Sequence, residues 1–239
     1  MNLLRSIAFV LWLYGSMTLI GLVYAPVLLV SRRAGLGAGR AWAQATLWGA
    51  RWIVGIRVAV TGRERLPQGS FIAAAKHQSM LDTLMPFLLL QDPAIVLKEE
   101  LLAAPVFGWY AKNLRMIPVA RDANAAALRT LLKAARPAVS EGRQIWIFPE
   151  GTRRKPGERG DYRPGVAALY KDLNVPVAPI ALDTGRCWPA SGLIRRPGVV
   201  TVTILDPIPP GLPRPEFMAR LETAIDDASD ALAAESPPL

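Results

Sequence analysis

The longest uncharged stretch of the chain lies near its N-terminus and restricts what this part can fold into. Residues 7–30 (IAFVLWLYGSMTLIGLVYAPVLLV) are 24 residues without an acidic or basic side chain. A helix of that length is about 36 Å long, enough to cross a hydrocarbon core of about 30 Å with some tilt. The stretch therefore predicts a helix associated with a membrane.

The flanks of this stretch argue against a cleaved signal peptide and predict an orientation. A signal peptide has an apolar region of roughly 7–15 residues that ends in small residues, whereas this stretch runs on to Arg32, Arg33 and Arg40. These arginines outnumber Arg5 on the other side, so the positive-inside rule predicts an inner (cytoplasmic) membrane protein whose remaining chain faces the cytoplasm. Two glycines and Pro26 interrupt the stretch, which leaves open a helix that only enters or lies on the bilayer.

A second stretch, residues 41–60, carries three tryptophans and two arginines among apolar neighbours. Tryptophan prefers the headgroup level and arginine can snorkel to it, so a helix lying on the membrane surface fits this pattern. An ordinary amphipathic helix with tryptophans in the core fits it equally well. We assign residues 1–55 to membrane-anchoring helices and residues 56–239 to one catalytic domain.

The charge balance indicates the kind of partner. Lysine and arginine total 28 and aspartate and glutamate 19, and a surplus of positive charge favours an anionic partner. Together with the apolar N-terminus, this favours a phospholipid membrane and predicts no nucleic acid.

From residue 56 onward, short β-rich runs alternate with helical ones. Continuous apolar runs such as IWIF and VPVAPIAL suit strands covered on both faces, so we predict an α/β fold with a mixed, mostly parallel sheet flanked by helices. The predicted strands are 56–60, 71–75, 94–97, 116–120, 144–148, 175–182 and 199–205, and the predicted helices are 79–90, 101–113, 123–140, 164–173 and 215–234. Ligands of such sheets bind beyond the carboxyl ends of the strands.

The only histidine of the chain, His77, directly follows the predicted strand 71–75 in the sequence AAAKHQSMLDTLM. Residues five apart on a continuous helix lie about 140° from each other, but a turn at His77 lets Asp82 reach the imidazole. A carboxylate that holds one ring nitrogen leaves the other free to take a proton from an alcohol. Two other interpretations stay open: Ser79 and Asp82 as a capping box, and His77 as an ordinary core residue.

Two more predicted strands deliver charged residues to the same edge. Glu150 and Arg153 follow strand 144–148 in IWIFPEGTRRK, and Arg121 ends MIPVAR. An arginine fork suits bidentate capture of a phosphate, and Glu150 could orient that arginine or a substrate hydroxyl. A surface Glu–Arg pair is the alternative interpretation.

Cysteine and histidine usage excludes several kinds of site. With Cys187 as the one cysteine and His77 as the one histidine, the chain has no disulfide framework, no cysteine-based zinc site and no histidine cluster for a metal. The chemistry is therefore predicted to depend on histidine, carboxylates and arginines, without a metal.

Four blocks, HQSMLD, IPVAR, FPEGTR and VPVAPI, occur in this order within about residues 50–210. Together they resemble the glycerolipid acyltransferases typified by 1-acylglycerol-3-phosphate acyltransferase. The resemblance implies transfer of a fatty acyl group from a thioester to the sn-2 hydroxyl of lysophosphatidic acid, which gives phosphatidic acid for phospholipid biosynthesis. The donor would be acyl-CoA or acyl carrier protein, with no further cofactor.

The resemblance also implies roles for individual residues. His77 would be the general base and Asp82 its orienting partner. A second set would bind the phosphate and glycerol of the acceptor: Arg121, Glu150, Gly151, Thr152, Arg153 and Arg163.

Some positions depart from the pattern of the family. Lys76 stands where many members carry asparagine, Arg115 where glycine is frequent, and YRPG, with Arg163, replaces an aromatic-Lys-Lys-Gly pattern. Other acceptors, such as glycerol-3-phosphate or a lyso-ornithine lipid, therefore stay open. A non-catalytic protein of the membrane surface would need only the charge and the anchor, and a serine hydrolase is disfavoured because no G-x-S-x-G elbow occurs.

Overall fold

The structure, a computed structural model, describes residues 2–120 and 125–235. Two helices open the chain: α1 spans Asn2–Val30 and α2 spans Arg32–Gly49, followed by a π-helical turn at Ala50–Val54. Gly55 ends this turn with φ 80°, a left-handed conformation that favours glycine.

In the part of the chain described, seven strands form one sheet with the order β1-β7-β6-β2-β5-β3-β4. The strands are β1 Ile56–Thr61, β2 Ile72–Ala75, β3 Pro93–Lys98, β4 Ile117–Val119, β5 Gln144–Ile147, β6 Val177–Leu182 and β7 Gly198–Ile204. The five strands from β6 to β4 run parallel, whereas β7 is antiparallel to β6 and carries β1 parallel to itself. The predicted mixed, mostly parallel sheet is confirmed, and every strand end lies within two residues of its prediction.

Helices cover both faces of the sheet. Beyond α1 and α2 the described helices are α3 Met85–Leu89, α4 Pro105–Asn113, α5 Ala125–Ser140, α6 Pro164–Leu173 and α7 Arg214–Glu235. Alternate residues of β2 point to opposite sides, so Ala73 joins a core with α1, α2 and α4, and Ile72 joins a core with α5, α6 and α7. The central strands are thereby buried on both faces.

Prolines shorten two of the predicted helices. Ala104 precedes Pro105 and is extended, with φ −67° and ψ 130°, so α4 starts at Pro105 instead of residue 101. The predicted helix 79–90 is a 3₁₀ turn at Leu81–Leu84 followed by α3, which has Pro86 in its first turn.

The N-terminal helices share a core with the sheet. Phe9 and Leu13 of α1 belong to the same buried cluster as Trp146 of β5. Trp42 is buried and its indole donates to the carbonyl of Leu13 at 3.2 Å, whereas Trp48 and Trp52 are 53% and 65% exposed. The buried Trp42 fits the core interpretation, and the exposed Trp48 and Trp52 leave the membrane-surface interpretation a prediction. The helix begins at Arg32 rather than at residue 41.

Helix α1 is held to the rest of the molecule along its whole length. At its start, the Ser6 hydroxyl accepts from the Arg195 N–H at 2.8 Å; in its middle, the Tyr110 hydroxyl donates to the Gly21 carbonyl at 2.8 Å. Directly after its end, Arg32 donates to Asp92 with both terminal nitrogens. Among the described residues, α1 is the one helix long and apolar enough to span a membrane, judged by length and composition alone.

Candidate active site

His77 lies just beyond the carboxyl end of β2, the middle strand of the sheet. The Asp82 Oδ2 atom lies 3.1 Å from His77 Nδ1 and also accepts the N–H groups of Gln78 and Ser79 at 2.7 and 2.8 Å. The Ser79 hydroxyl accepts the N–H of Leu81 at 2.8 Å. The capping and orienting interpretations of Asp82 therefore describe one carboxylate that makes both sets of contacts.

Asp82 is fully buried, and its second oxygen also has a partner. The Thr184 hydroxyl, from the turn after β6, donates to Asp82 Oδ1. In the same turn the Gly185 N–H donates to the Gln78 side chain at 3.1 Å, and a Cβ on Gly185 would lie 2.9 Å from Gln78 Cβ, too close for any other residue. The turn after β6, the strand next to β2, thus packs against Asp82 and Gln78 on the buried side of the site.

The imidazole of His77 is fixed on one face and on one edge. Its ring stacks on Phe148 with 3.9 Å between centroids and 16° between planes. With Nδ1 directed at the carboxylate, Nε2 is the nitrogen that can accept a proton. The side chain is 12% exposed, so the ring reaches the surface and is not an enclosed core residue.

The loop after β5 holds both peptide groups of His77. The His77 N–H donates to Glu150 Oε2 at 3.2 Å, and the His77 carbonyl accepts the N–H of Arg154 at 2.8 Å. Gly151 has φ 65°, and a Cβ there would lie 3.2 Å from Arg163 Cγ. The loop therefore links the turn that carries His77 to the candidate binding residues.

Glu150 is buried, and both of its oxygens have partners within the protein. Oε1 lies 2.9 Å from the ammonium of Lys76, and Oε2 accepts from the His77 peptide. Burial raises the pKa of Glu150, and the contacts with Lys76 oppose that rise. The buried Glu150 carboxylate thus contacts the backbone of the turn that carries His77. Its contact with the acceptor stays a prediction.

The other predicted binding residues lie at the surface, in or next to the loop that contacts the His77 backbone. Gly151, Thr152, Arg153 and Arg163 are exposed, and Arg153 donates to the carbonyl of Ala190 at 3.3 Å. Within residues 2–120 and 125–235, neither Arg153 nor Arg163 forms an ion pair with a carboxylate. Two exposed arginines of this loop region could therefore bind an anion.

Arg121 lies outside the described residues. The strand before it, β4, is the edge strand of the sheet and is separated from β5 by β3.

Two features of the site were not predicted from the sequence. One is Thr184, and the other is the buried contact between Lys76 and Glu150. Thr184 lies 102 positions from Asp82, and the signal that could have found it is its place two residues after the stretch VPVAPIAL. Cys187 is also buried here, and burial raises the pKa of its thiol. No group of three or more histidine, cysteine, aspartate or glutamate side chains in the described part could hold a metal ion.

A histidine–carboxylate pair lies at the carboxyl end of a parallel strand, and the neighbouring loop region carries exposed arginines that have no acidic partner among the described residues. This arrangement is of the kind that suits proton transfer next to an anionic substrate. The chain belongs to the acyltransferase family: the family model described as Acyltransferase matches residues 57–183. The match contains His77, Asp82 and residues 150–153, and leaves out α1, α2 and α7. The family resemblance inferred from the four blocks is confirmed.

Relatives within this family carry one recurring name. Over 163 residues the chain is 36% identical to a 1-acyl-sn-glycerol-3-phosphate acyltransferase of Pseudomonas aeruginosa, a match covering 68% of this chain and 63% of that relative. It is 28% identical over 163 residues to the mouse (Mus musculus) 1-acyl-sn-glycerol-3-phosphate acyltransferase alpha, covering 66% and 57%. The chain thus spans somewhat less than two thirds of the length of these relatives.

A solved structure shares the fold. The crystal structure of the 1-acyl-sn-glycerophosphate (LPA) acyltransferase PlsC from Thermotoga maritima superimposes with a TM-score of 0.81, covering 99% of this chain and 100% of that one. The sequence identity is 23%, so this likeness shows the fold alone.

Proposed function

We propose that the protein transfers a fatty acyl group from acyl-CoA or acyl carrier protein to the sn-2 hydroxyl of lysophosphatidic acid, forming phosphatidic acid. The observation that carries the proposal is the His77 ring, whose Nδ1 lies 3.1 Å from a buried carboxylate and whose side chain reaches the surface. The exposed Arg153 and Arg163 of the adjoining loop region have no acidic partner in the described part of the chain. The names of the relatives agree with this acceptor.

The proposed reaction needs no covalent intermediate on the protein. The acceptor hydroxyl gives its proton to His77 Nε2 as its oxygen attacks the thioester carbonyl. The tetrahedral intermediate then expels the thiolate, which takes the proton back from His77, so an ester and a free thiol leave. General-base catalysis supplies typically 10²–10⁴-fold, and holding the two substrates in one geometry supplies the larger share.

The surface residues of the site are assigned to the acceptor. Arg153 and Arg163 would bind its phosphate through charged hydrogen bonds, together with Arg121 as the family resemblance implies. The peptide of Gly151 and the hydroxyl of Thr152, both exposed, would contact the glycerol.

We infer that the protein acts on a membrane and that α1 lies in one leaflet instead of crossing the bilayer. A helix held to the catalytic domain at Ser6, at Gly21 and directly after Val30 could cross only by drawing the sheet into the hydrocarbon. The face of α1 turned away from the domain exposes large apolar side chains, namely Leu4, Leu11, Leu19, Leu22, Val23, Leu29 and Val30. Such a face suits insertion at the level of the headgroups and upper acyl chains.

The cytoplasmic orientation remains a proposal that rests on the basic residues after α1. Arg32 is engaged by Asp92, and Arg40 donates to the carbonyl of Gln91 at 2.6 Å. Arg33 is exposed and forms no ion pair in the described part of the chain, so it is free to contact anionic lipid.

Activity of the purified protein tests the proposed reaction. Incubation with lysophosphatidic acid and labelled acyl-CoA, and then with acyl carrier protein as the donor carrier, should give labelled phosphatidic acid. His77→Ala should abolish turnover while the circular dichroism and the melting temperature stay near those of the wild type. Near-full activity of His77→Ala would refute the assignment of the base.

The alternatives give different outcomes in the same assay. Product from glycerol-3-phosphate or a lyso-ornithine lipid, but not from lysophosphatidic acid, would replace the acceptor. Lipid binding that survives His77→Ala, with no product from any acceptor, would indicate a non-catalytic protein.

Protease accessibility tests the course of α1. In inverted membrane vesicles, tags at both termini should be cleaved if α1 lies in the cytoplasmic leaflet. Protection of the N-terminal tag alone would show that α1 crosses the bilayer.

A further inference from the structure

The side chain of Lys76 points into the protein, although Lys76 directly precedes the catalytic histidine. It is 2% exposed, and its ammonium contacts three oxygens. These are Asp226 Oδ1 at 2.8 Å, Glu150 Oε1 at 2.9 Å and the Glu158 carbonyl at 3.1 Å. The ammonium thus donates hydrogen bonds to Asp226 and to the Glu158 carbonyl, and it forms an ion pair with Glu150.

Asp226 belongs to α7, which lies outside the region matched by the family model. Asp226 is 6% exposed, and its carboxylate also accepts from the hydroxyl of Tyr162 at 3.3 Å. Burial and the charge of Asp226 raise the pKa of Tyr162, so the phenol keeps its proton and can donate. The end of this network is thus a buried carboxylate supplied by the C-terminal helix.

The charges of the network depend on one another. Burial lowers the pKa of Lys76, but hydrogen bonds and charges from Asp226 and Glu150 outweigh this effect and leave the pKa raised. Two carboxylates share one ammonium, so removing the charge of Asp226 leaves Lys76 attracted by Glu150 alone and changes the balance of forces that sets the position of the ammonium. The position of Asp226 therefore influences where Lys76 and Glu150 lie.

The second oxygen of Glu150 connects this network to the catalytic turn. It accepts the N–H of His77 at 3.2 Å, so a rotation of the Glu150 carboxylate would move the peptide that carries the imidazole. A chain of contacts thus runs from α7 through Asp226, Lys76 and Glu150 to His77.

We propose that Lys76 and Asp226 are positioning residues, through which the C-terminal helix sets the placement of the His77 imidazole for the proposed acyl transfer. Neither side chain would contact substrate, because both are buried behind the turn. Misplacement by about 1 Å can cost about 100-fold in rate, so the effect should appear in kcat and leave the acceptor KM nearly unchanged.

The test compares two aspartates of α7. Asp226→Asn removes the buried charge while keeping its shape, and kcat should fall about 10- to 100-fold. Asp230→Asn is the matched control, one turn later, where the carboxylate forms an exposed pair with Arg159 at 2.7 Å; its kcat should equal that of the wild type.

A second measurement does not depend on the proposed function. Because the chain has one histidine, protein without a histidine tag gives imidazole NMR signals from His77 alone. These signals should shift in Asp226→Asn and stay in place in Asp230→Asn. Failure of the proposed acyl transfer would appear as an inactive wild type and would leave this comparison valid.

Three results would overturn the positioning role: unshifted imidazole signals in folded Asp226→Asn, an unchanged kcat with an active wild type, or a loss confined to acceptor KM. If Asp226→Asn does not fold, Asp226→Glu replaces it, because it keeps the charge and moves the carboxylate by one methylene. Shifted signals and a reduced kcat in Asp226→Glu would then support the role, and wild-type values of either would refute it.

Discussion

Replacing Asp82 by asparagine separates the two tasks of its carboxylate, capping the turn and orienting the imidazole. Asp82 accepts from three N–H groups at 2.7, 2.8 and 3.1 Å and from the hydroxyl of Thr184. The amide oxygen of asparagine can keep the three N–H contacts, and the Thr184 hydroxyl can rotate to accept from its NH₂ group. The turn should therefore form in Asp82→Asn.

The expected loss of stability is moderate. A hydrogen bond to a charged group contributes about 1.5–3 kcal/mol and a neutral one about 0.5–1.5 kcal/mol, so each of the four contacts weakens by about 1 kcal/mol. Burying a neutral amide instead of a carboxylate offsets part of this sum. We expect the free energy of unfolding to fall by about 1–3 kcal/mol.

The expected loss of activity is larger. The carboxylate lies 3.1 Å from Nδ1, and at an effective dielectric constant of about 20 its attraction for the imidazolium formed during proton transfer is about 5 kcal/mol. The backbone N–H groups also stabilise the carboxylate, so this value is an upper bound. It agrees with the 10²–10⁴-fold typical of a general base, and kcat should fall by that range with acceptor KM nearly constant.

Ser79→Ala serves as the comparison, since its hydroxyl caps the N–H of Leu81 in the same turn without touching the imidazole. Ser79→Ala should lower the free energy of unfolding by about 1 kcal/mol, and it should reduce kcat far less than Asp82→Asn does. Chemical denaturation and steady-state kinetics on vesicles measure both quantities. Equal kcat values for folded Asp82→Asn and Ser79→Ala would show that Asp82 only caps the turn, and would refute the orienting role.

Two further predictions concern arginines and their partners. Arg153→Ala should raise the acceptor KM by roughly 10- to 100-fold, from the loss of about 1.5–3 kcal/mol of charged hydrogen bonding to phosphate, with kcat little changed. The same kinetics on Arg136→Ala, which breaks an exposed pair on α5, should match the wild type; an unchanged KM in Arg153→Ala would contradict phosphate binding. Burial raises the pKa of Asp92, but the contacts with Arg32 and Arg143 have a larger, opposite effect and hold that pKa below its usual 3.8. The ionised carboxylate therefore adds to the stability of the folded protein above about pH 4, and this contribution is lost as the pH falls through the folded-state pKa. Asp92→Asn should therefore be less stable than the wild type by about 3 kcal/mol near pH 7. Melting curves should show this difference in stability becoming smaller below pH 4, and a difference that does not change with pH would contradict the pairing.

The local parts of the site could be predicted because they lie within short segments. His77 and Asp82 are five residues apart, and a strand followed by a turn is enough to predict that they meet. The loop FPEGTR could be placed in the same way, since a proline and a glycine end the strand before it. The apolar runs and their spacing also predicted all seven strands of the described sheet.

Contacts over long sequence separations could not be read in this way. Asp226 lies 150 positions from Lys76, and Thr184 lies 102 positions from Asp82. Both depend on the strand order, which places β6 and β5 on either side of β2. No pattern of residue types specifies that order.

The sequence by itself determined which chemical groups are present and near which strand ends they lie, because hydrophobic periodicity and turn residues act over a few positions. Only the tertiary structure decided that Glu150 faces inward to Lys76 and the His77 peptide, and that α1 packs along the domain. Those outcomes depend on which buried charges and apolar faces meet when distant segments pack, and packing is a property of the whole chain.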